Sequence, residues 1–173
     1  MSQLFSSITP NVQRAAFGAG CFWGTEKYFR KEFGDDLRKA SVGYMGGAKP
    51  NPSYEDVCTG TTGHAEVFYA EFVPATLPYE KLVQFFYEMH DPTTKDRQGN
   101  DRGTQYRSAI FYYTPEQLRI AEEVTERVKG KLPSGWSVKT TFEPARDYYE
   151  AEEYHQRYLE KVDRLRDHIE NQP

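Results

Sequence analysis

Ala15-Ala16-Phe17-Gly18-Ala19-Gly20-Cys21-Phe22-Trp23-Gly24 is the stretch on which the fold turns. A small-residue strand, Ala15 to Ala19, runs into a cysteine flanked by Gly20 and an aromatic pair. Behind it the pattern predicts a helix over Phe22 to Phe33, with Phe22, Phe29 and Phe33 on one side. The glycines let the backbone turn sharply and leave room for another group to approach. Cys21 then stands at or near a helix N-terminus, where unpaired N–H groups and the dipole favour an anion. A thiol placed there is expected to have a lowered pKa and to be part thiolate at neutral pH. The competing expectation is a small buried cysteine at a strand end, since free cysteine is among the most buried residue types. The aromatic neighbours and flanking glycines favour the reactive one.

Outward from this stretch the chain reads in order. Gly34-Asp35-Asp36 breaks the helix, and a second strand follows over Leu37 to Met45, with Ala40, Val42 and Tyr44 alternating. The glycine- and proline-rich run at 46–52 is a loop, and Ser53 to Gly60 forms a short helical turn that is expected to pack Cys58 against the body. A third strand starts after Gly63-His64 and runs to Phe72. Its period of two puts Glu66, Phe68, Ala70 and Phe72 on one face. Glu66 therefore shares an apolar face at the strand's beginning. Desolvated, its carboxyl would have a raised pKa; at a wet strand end, which is the commoner outcome, it would simply be solvated.

Leu77-Pro78 opens a second long helix with Leu82, Phe85, Phe86 and Met89 in register. Thr93 to Arg107 reads as a long polar loop, of a length that tends to be functional. Ser108 to Tyr113 is a buried strand, and Thr114-Pro115-Glu116-Gln117 is a capping box for a helix to about Lys129. A strand near Val138 to Phe142 and an amphipathic helix from Tyr148 to Ile169 complete the chain. The first six elements match the split βαβ plan. The expected architecture is α+β: a two-layer α/β sandwich with a ferredoxin-like βαββαβ core plus additional helices and a strand. A single domain is expected over 1–173, with an N-terminal arm at 1–13 and a C-terminal helical extension at 145–173. This topology lays the two βαβ halves side by side and can bring Cys21 near Glu66.

Composition narrows the function classes. At 173 residues the chain is long enough to bury a core. A net charge of −4 argues against a nucleic acid or an anionic membrane as partner, and no long apolar run spans a bilayer. Two cysteines, Cys21 and Cys58, do not make a disulfide framework, so a reducing compartment, the cytosol, is the default. Met1 to Arg14 has no secretory core and is too weak for a mitochondrial presequence. The histidines have no metal-ligand spacing with the cysteines.

Cys21, Glu66, Tyr54 and Tyr106, with Asp101 close to the last, are candidates for one site. A thiolate needs an electrophile; a protonated carboxyl and two phenols suit a developing oxyanion. Phe22 and Trp23 supply an apolar wall. A sulfoxide fits this set, and a carbonyl is not separated from it by spacing alone. His64 would be the base of a Cys-His hydrolase, but a turn histidine with satisfied nitrogens is the commoner outcome.

Gly20-Cys21-Phe22-Trp23-Gly24 resembles the signature of the type A peptide methionine sulfoxide reductases. Further matches lie at Ser53-Tyr54-Glu55-Asp56-Val57-Cys58, Gly63-His64-Ala65-Glu66-Val67, His90-Asp91-Pro92-Thr93-Thr94, Gly103-Thr104-Gln105-Tyr106-Arg107-Ser108 and Ala151-Glu152-Glu153-Tyr154-His155-Gln156. The resemblance implies that Cys21 attacks the sulfur of methionine S-sulfoxide, free or in oxidised proteins, and becomes a sulfenic acid. It implies Glu66 as proton donor, Tyr54 and Tyr106 on the oxygen, Asp101 ordering the polar side through water, and Phe22 and Trp23 around the methyl group. No bound cofactor is implied; an external thiol, thioredoxin or glutathione with glutaredoxin, restores the enzyme, and a monomer is expected. Many relatives carry resolving cysteines in a flexible tail. Here Glu160 to Pro173 has none and reads as helix. Either an external thiol reduces the sulfenic acid directly, which is favoured, or Cys58 resolves it. The alternative function is a peroxide-responsive cysteine redox sensor.

Overall fold

The computed structural model describes residues 11–172. Residues 1–10 of the expected arm lie outside them; Asn11 and Val12 are irregular and Gln13 already belongs to the first strand. In chain order the elements are β1 (Gln13–Ala19), α1 (Phe22–Phe33), β2 (Leu37–Met45), α2 (Tyr54–Cys58), β3 (Ala65–Phe72), α3 (Tyr79–Met89), β4 (Arg97–Gln98), β5 (Asp101–Arg102), β6 (Ser108–Tyr112), α4 (Pro115–Lys131), β7 (Thr141–Pro144), β8 (Tyr149–Glu150) and α5 (Tyr158–Glu170). Short 3-10 turns stand at Gly34–Asp36, Thr104–Tyr106 and Glu153–His155.

Six strands form one sheet in the order β7-β6-β1-β3-β2-β8. Its middle, β6-β1-β3-β2, is antiparallel throughout and connected through α1 and α3. That is the βαββαβ core read from the sequence. The helix α4 crosses over to β7, which pairs parallel with β6, and β8 closes the other edge on β2.

The core sits between the sheet and the helices. Phe17 from β1, Phe29 from α1, Phe68 and Phe72 from β3 and Leu82 and Phe86 from α3 are all buried there. Phe17 stacks on Phe29 and Phe86, and Phe29 on Phe68, with centroids 4.9–5.4 Å apart. The alternation along β3 places Glu66 on this same face, while Val67 and Ala65 join a smaller cluster on the opposite face.

Four expectations for the chain change. The 93–107 stretch is not structureless: β4 and β5 pair as a tiny hairpin and a 3-10 turn follows. The strand expected near Val138 to Phe142 is Thr141–Pro144 instead, because its parallel register with β6 runs from Ala109↔Thr141 to Tyr112↔Pro144. The final helix begins at Tyr158, not Tyr148, so only part of 145–173 is a helical extension. Tyr149 and Glu150 pair with Tyr44 and Gly43 instead. A Cβ on Gly43 would stand 2.3 Å from the Tyr149 carbonyl oxygen, so only glycine lets β8 seat there. At Arg157 the backbone is left-handed, φ 54°, which no helix interior tolerates. The capping box is half made: Thr114 Oγ1 accepts the Gln117 N–H at 3.1 Å, but Gln117 Oε1 accepts from Tyr113, one residue before the cap.

Candidate active site

Gly20 makes the turn between β1 and α1 with φ +86°. A Cβ there would also fall 2.6 Å from Gln98 of the hairpin. Gly20→Ala is therefore expected to cost about 1–3 kcal/mol and to displace the residue behind it. Thermal unfolding and the rate of Cys21 alkylation would measure both effects.

Cys21 is the N-cap of α1. Backbone N–H groups of Trp23 and Gly24 reach its sulfur and act to lower its pKa, as the helix-terminus reading anticipates. They lose. Burial of the thiol, then the carboxylate of Glu66 and, more weakly, Asp101, push it up to about 12. The expected resting thiolate is thus corrected: Cys21 is a half-buried free thiol.

Glu66 is 2% exposed at the start of β3, beside Tyr44 on β2. Its Oε1 accepts the backbone N–H of Phe22 at 3.1 Å. That places the carboxyl under the first turn of α1, next to Cys21. Its other oxygen is buried with no partner among the described residues. Desolvation raises its pKa to about 7, and Asp101 adds to this while the Phe22 N–H opposes it. The wet strand end is not what the fold produces, because α1 starts directly over it.

Tyr54 opens α2, and Tyr106 closes the 3-10 turn before β6. Both phenols are held above their usual range, chiefly by burial. The charge of Glu66 bears on each, and Asp101 and Cys21 bear on Tyr106 as well. Asp101 itself is exposed on the hairpin. Cys58 differs from expectation: it is exposed on the last turn of α2, facing Tyr54, rather than packed in.

Phe22 is fully buried between Tyr44 and His155, centroids at 5.8 and 5.1 Å. Trp23 is half-buried, stacked on Tyr158 at 3.9 Å. Its indole Nε1–H donates to His155 Nδ1 at 2.9 Å. His155 was not legible as a site residue from spacing. It is completely buried, touches Phe22, Trp23 and Tyr54, and burial holds it in its neutral form. The signal available was the Ala151 to Gln156 match.

His64 stands apart. Its Nδ1 accepts the Gly47 N–H at 3.0 Å and its Nε2 faces the Lys49 carbonyl at 2.7 Å. Both nitrogens are spent on pinning the 46–52 loop, which removes it as a base. A groove of about 430 Å³ between α3 and α4, lined by Tyr87, Val124, Val128 and Leu132, holds none of the candidate groups. Among the described residues there is no cluster of His, Cys, Asp or Glu fit for a metal, and no helix long and apolar enough to cross a membrane.

Comparison with known proteins points to one family. The family profile described as peptide methionine sulfoxide reductase matches residues 13–173. A peptide methionine sulfoxide reductase MsrA of Methanothermobacter thermautotrophicus is 53% identical over 89% of this chain and 90% of its own. Mxr1 from Saccharomyces cerevisiae in reduced form superposes with a TM-score of 0.83 at 36% identity, covering 91% of each chain. The same yeast protein in complex with Trx2 gives 0.61 at 27% identity, over 87% of this chain and 90% of that one.

Proposed function

Because this chain belongs to the type A peptide methionine sulfoxide reductases, thiol-dependent oxidoreductases that repair oxidised methionine, we propose that Cys21 and Glu66 carry out the reduction as a pair, on the S epimer. The observation that supports this most is the buried Glu66 carboxyl, bonded to the N–H of Phe22, the residue after Cys21, with its second oxygen unpartnered.

Below about pH 7 the resting pair is mostly protonated. Overall, Cys21–SH and R₂S=O become Cys21–SOH and R₂S, with no proton taken from outside. Glu66 gives its proton to the sulfoxide oxygen as the Cys21 sulfur bonds the substrate sulfur. The thiol proton passes to the Glu66 carboxylate; the hydroxyl then moves from the substrate sulfur to the Cys21 sulfur as the S–O bond and the new S–S bond both break, leaving Cys21–SOH and the free sulfide. Tyr54 and Tyr106 donate to the same oxygen, and Asp101 orders water on the polar side. Trp23, backed by the buried Phe22, walls the methyl group. No observation favours the peroxide-sensor alternative.

An external thiol then reduces the sulfenic acid. Thioredoxin is our reading of that donor, supported by the yeast relative seen in complex with Trx2; the protein acts as a monomer in the reducing cytosol. Exposure of Cys58 keeps it reachable, but partial desolvation on its inner side, helped by the nearby carboxylates, raises its pKa, which leaves less of it as attacking thiolate. Cys58→Ser is expected to leave turnover with dithiothreitol within about twofold of the parent. Loss of thioredoxin-dependent turnover alone would instead make Cys58 the resolving thiol. Assaying the separate methionine sulfoxide epimers with each reductant tests the rest: equal use of the R epimer would defeat the assignment.

A further inference from the structure

Glu152 lies between β8 and α5, outside the roles given above. Its Oε2 accepts the backbone N–H of Tyr54 at 3.1 Å, and its Oε1 accepts the Tyr44 hydroxyl at 3.1 Å. The Tyr54 N–H is one of the open donors at the start of α2. This helix has five residues, too few to hold its own place. Where the Tyr54 phenol lies is therefore set by what grips the helix start. Ser53 and Asp56 close a capping box one residue earlier, and Glu152 grips Tyr54 itself. His155, three residues along, supports the Tyr54 ring at 4.5 Å between centroids.

The gripping segment is itself tied down. The Ala151 N–H and the Gln156 side-chain amide both donate to the Val42 carbonyl at 2.9 Å. Gln156 Oε1 accepts the Val42 N–H at 2.9 Å, and the Arg157 N–H donates to the buried Glu26 at 2.7 Å. One short turn thus braces the wall formed by Trp23, through His155, and the phenol of Tyr54, through Glu152.

We propose that Glu152 is a positioning residue for sulfoxide reduction, its carboxylate fixing the start of α2 so that the Tyr54 phenol meets the sulfoxide oxygen. This rests on the reading that Tyr54 and Tyr106 both bind that oxygen. Two donors on one oxygen cover for each other, so the effect of Glu152 shows where Tyr54 works alone. Because the Tyr44 hydroxyl can also accept, a glutamine could keep both contacts; Glu152→Leu keeps comparable bulk but offers no acceptor, so the Tyr54 N–H and the Tyr44 hydroxyl both lose their partner.

The experiment is the single-turnover yield of methionine from methionine S-sulfoxide, with the Cys21 alkylation rate as a check on folding. Glu152→Leu is expected to slow the step about tenfold in a Tyr106→Phe background and less than about twofold in a Tyr54→Phe background, where nothing remains to position. The same cost in both backgrounds would mean a general packing role and overturn the proposal. A Tyr54→Phe/Tyr106→Phe variant as fast as the parent would remove the oxygen-binding reading, and the role of Glu152 with it. If Glu152→Leu does not fold, Glu152→Asp, which keeps the charge but shortens the reach, is expected to give the same contrast.

Discussion

Cys21→Ser is expected to abolish sulfoxide reduction while leaving the fold in place. Serine is close in size and its hydroxyl oxygen can accept an N–H from the first turn of α1, as a good N-cap does, so the core around Phe22 has no reason to shift. The hydroxyl is a far weaker nucleophile toward sulfur, and nothing in the site is arranged to ionise it. The loss expected is at least about a thousandfold, down to background, in methionine formed per enzyme. Unchanged thermal unfolding alongside that loss separates chemistry from stability. Appreciable turnover by the serine variant would mean that the oxygen is not transferred to this sulfur.

Glu66→Gln is expected to slow the reductase step by about a hundredfold or more, the usual weight of a positioned general acid. Its pH dependence is the sharper readout. Glu66 is protonated below about pH 7 and ionised above it. The parent's reductase step should therefore fall as pH rises through that value, and the glutamine variant should be flat. A reaction waiting on a preformed thiolate would do the opposite and speed up with pH, since the thiol is pushed up to about 12. Alkylation of Cys21 moves in the other direction from reduction. Removing the carboxylate takes away the second largest contribution holding the thiol proton, so alkylation at pH 8 should be as fast as in the parent or faster. A glutamine variant slow in both reactions would point to a disturbed Cys21 instead of a lost acid.

The same substitution has a stability signature. Below pH 4.5 the carboxyl is neutral in folded and unfolded chains alike, so Glu66 and glutamine should be nearly equivalent. Between 4.5 and about 7 the unfolded chain ionises while the folded one resists, so the parent loses stability as pH rises. Above that window the burden is on the order of 3 kcal/mol. Glu66→Gln should thus melt higher than the parent at pH 8, with the difference vanishing near pH 4. An equal melting temperature at both values would mean the carboxyl is not desolvated. A protein that keeps such a group in place of glutamine is holding strain at the point where a proton must move.

The comparison of expected and observed elements follows one physical line. The bounds of α1 and β2 were legible to the residue, because Phe22 to Phe33 has helical spacing and β2 ends in glycines that stop it. The 148–157 stretch was not: Ala151, Tyr154 and Tyr158 fit a helical spacing, but the backbone there finds better partners in β2 and in the Gln156 side chain. Cys58 was misplaced for a related reason. A five-residue helix has an outer side, and nothing local says which side a neighbouring turn will cover.

The amino acids in their order were enough to set the succession of strands and helices, the apolar face of each, and the chemical groups available: a thiol at a strand-to-helix turn, a carboxyl on an apolar face, two phenols. Those properties depend on neighbours within a few residues, and the backbone's periods of 2 and 3.6 transmit them. Proton occupancy was beyond its reach. Whether Cys21 is thiol or thiolate, and Glu66 acid or base, depends on water excluded by segments 44 residues apart in sequence and on charges brought in by a distant hairpin. Desolvation is a sum over everything that covers a group, and only the assembled sheet, α1 and the 152–157 turn complete that sum.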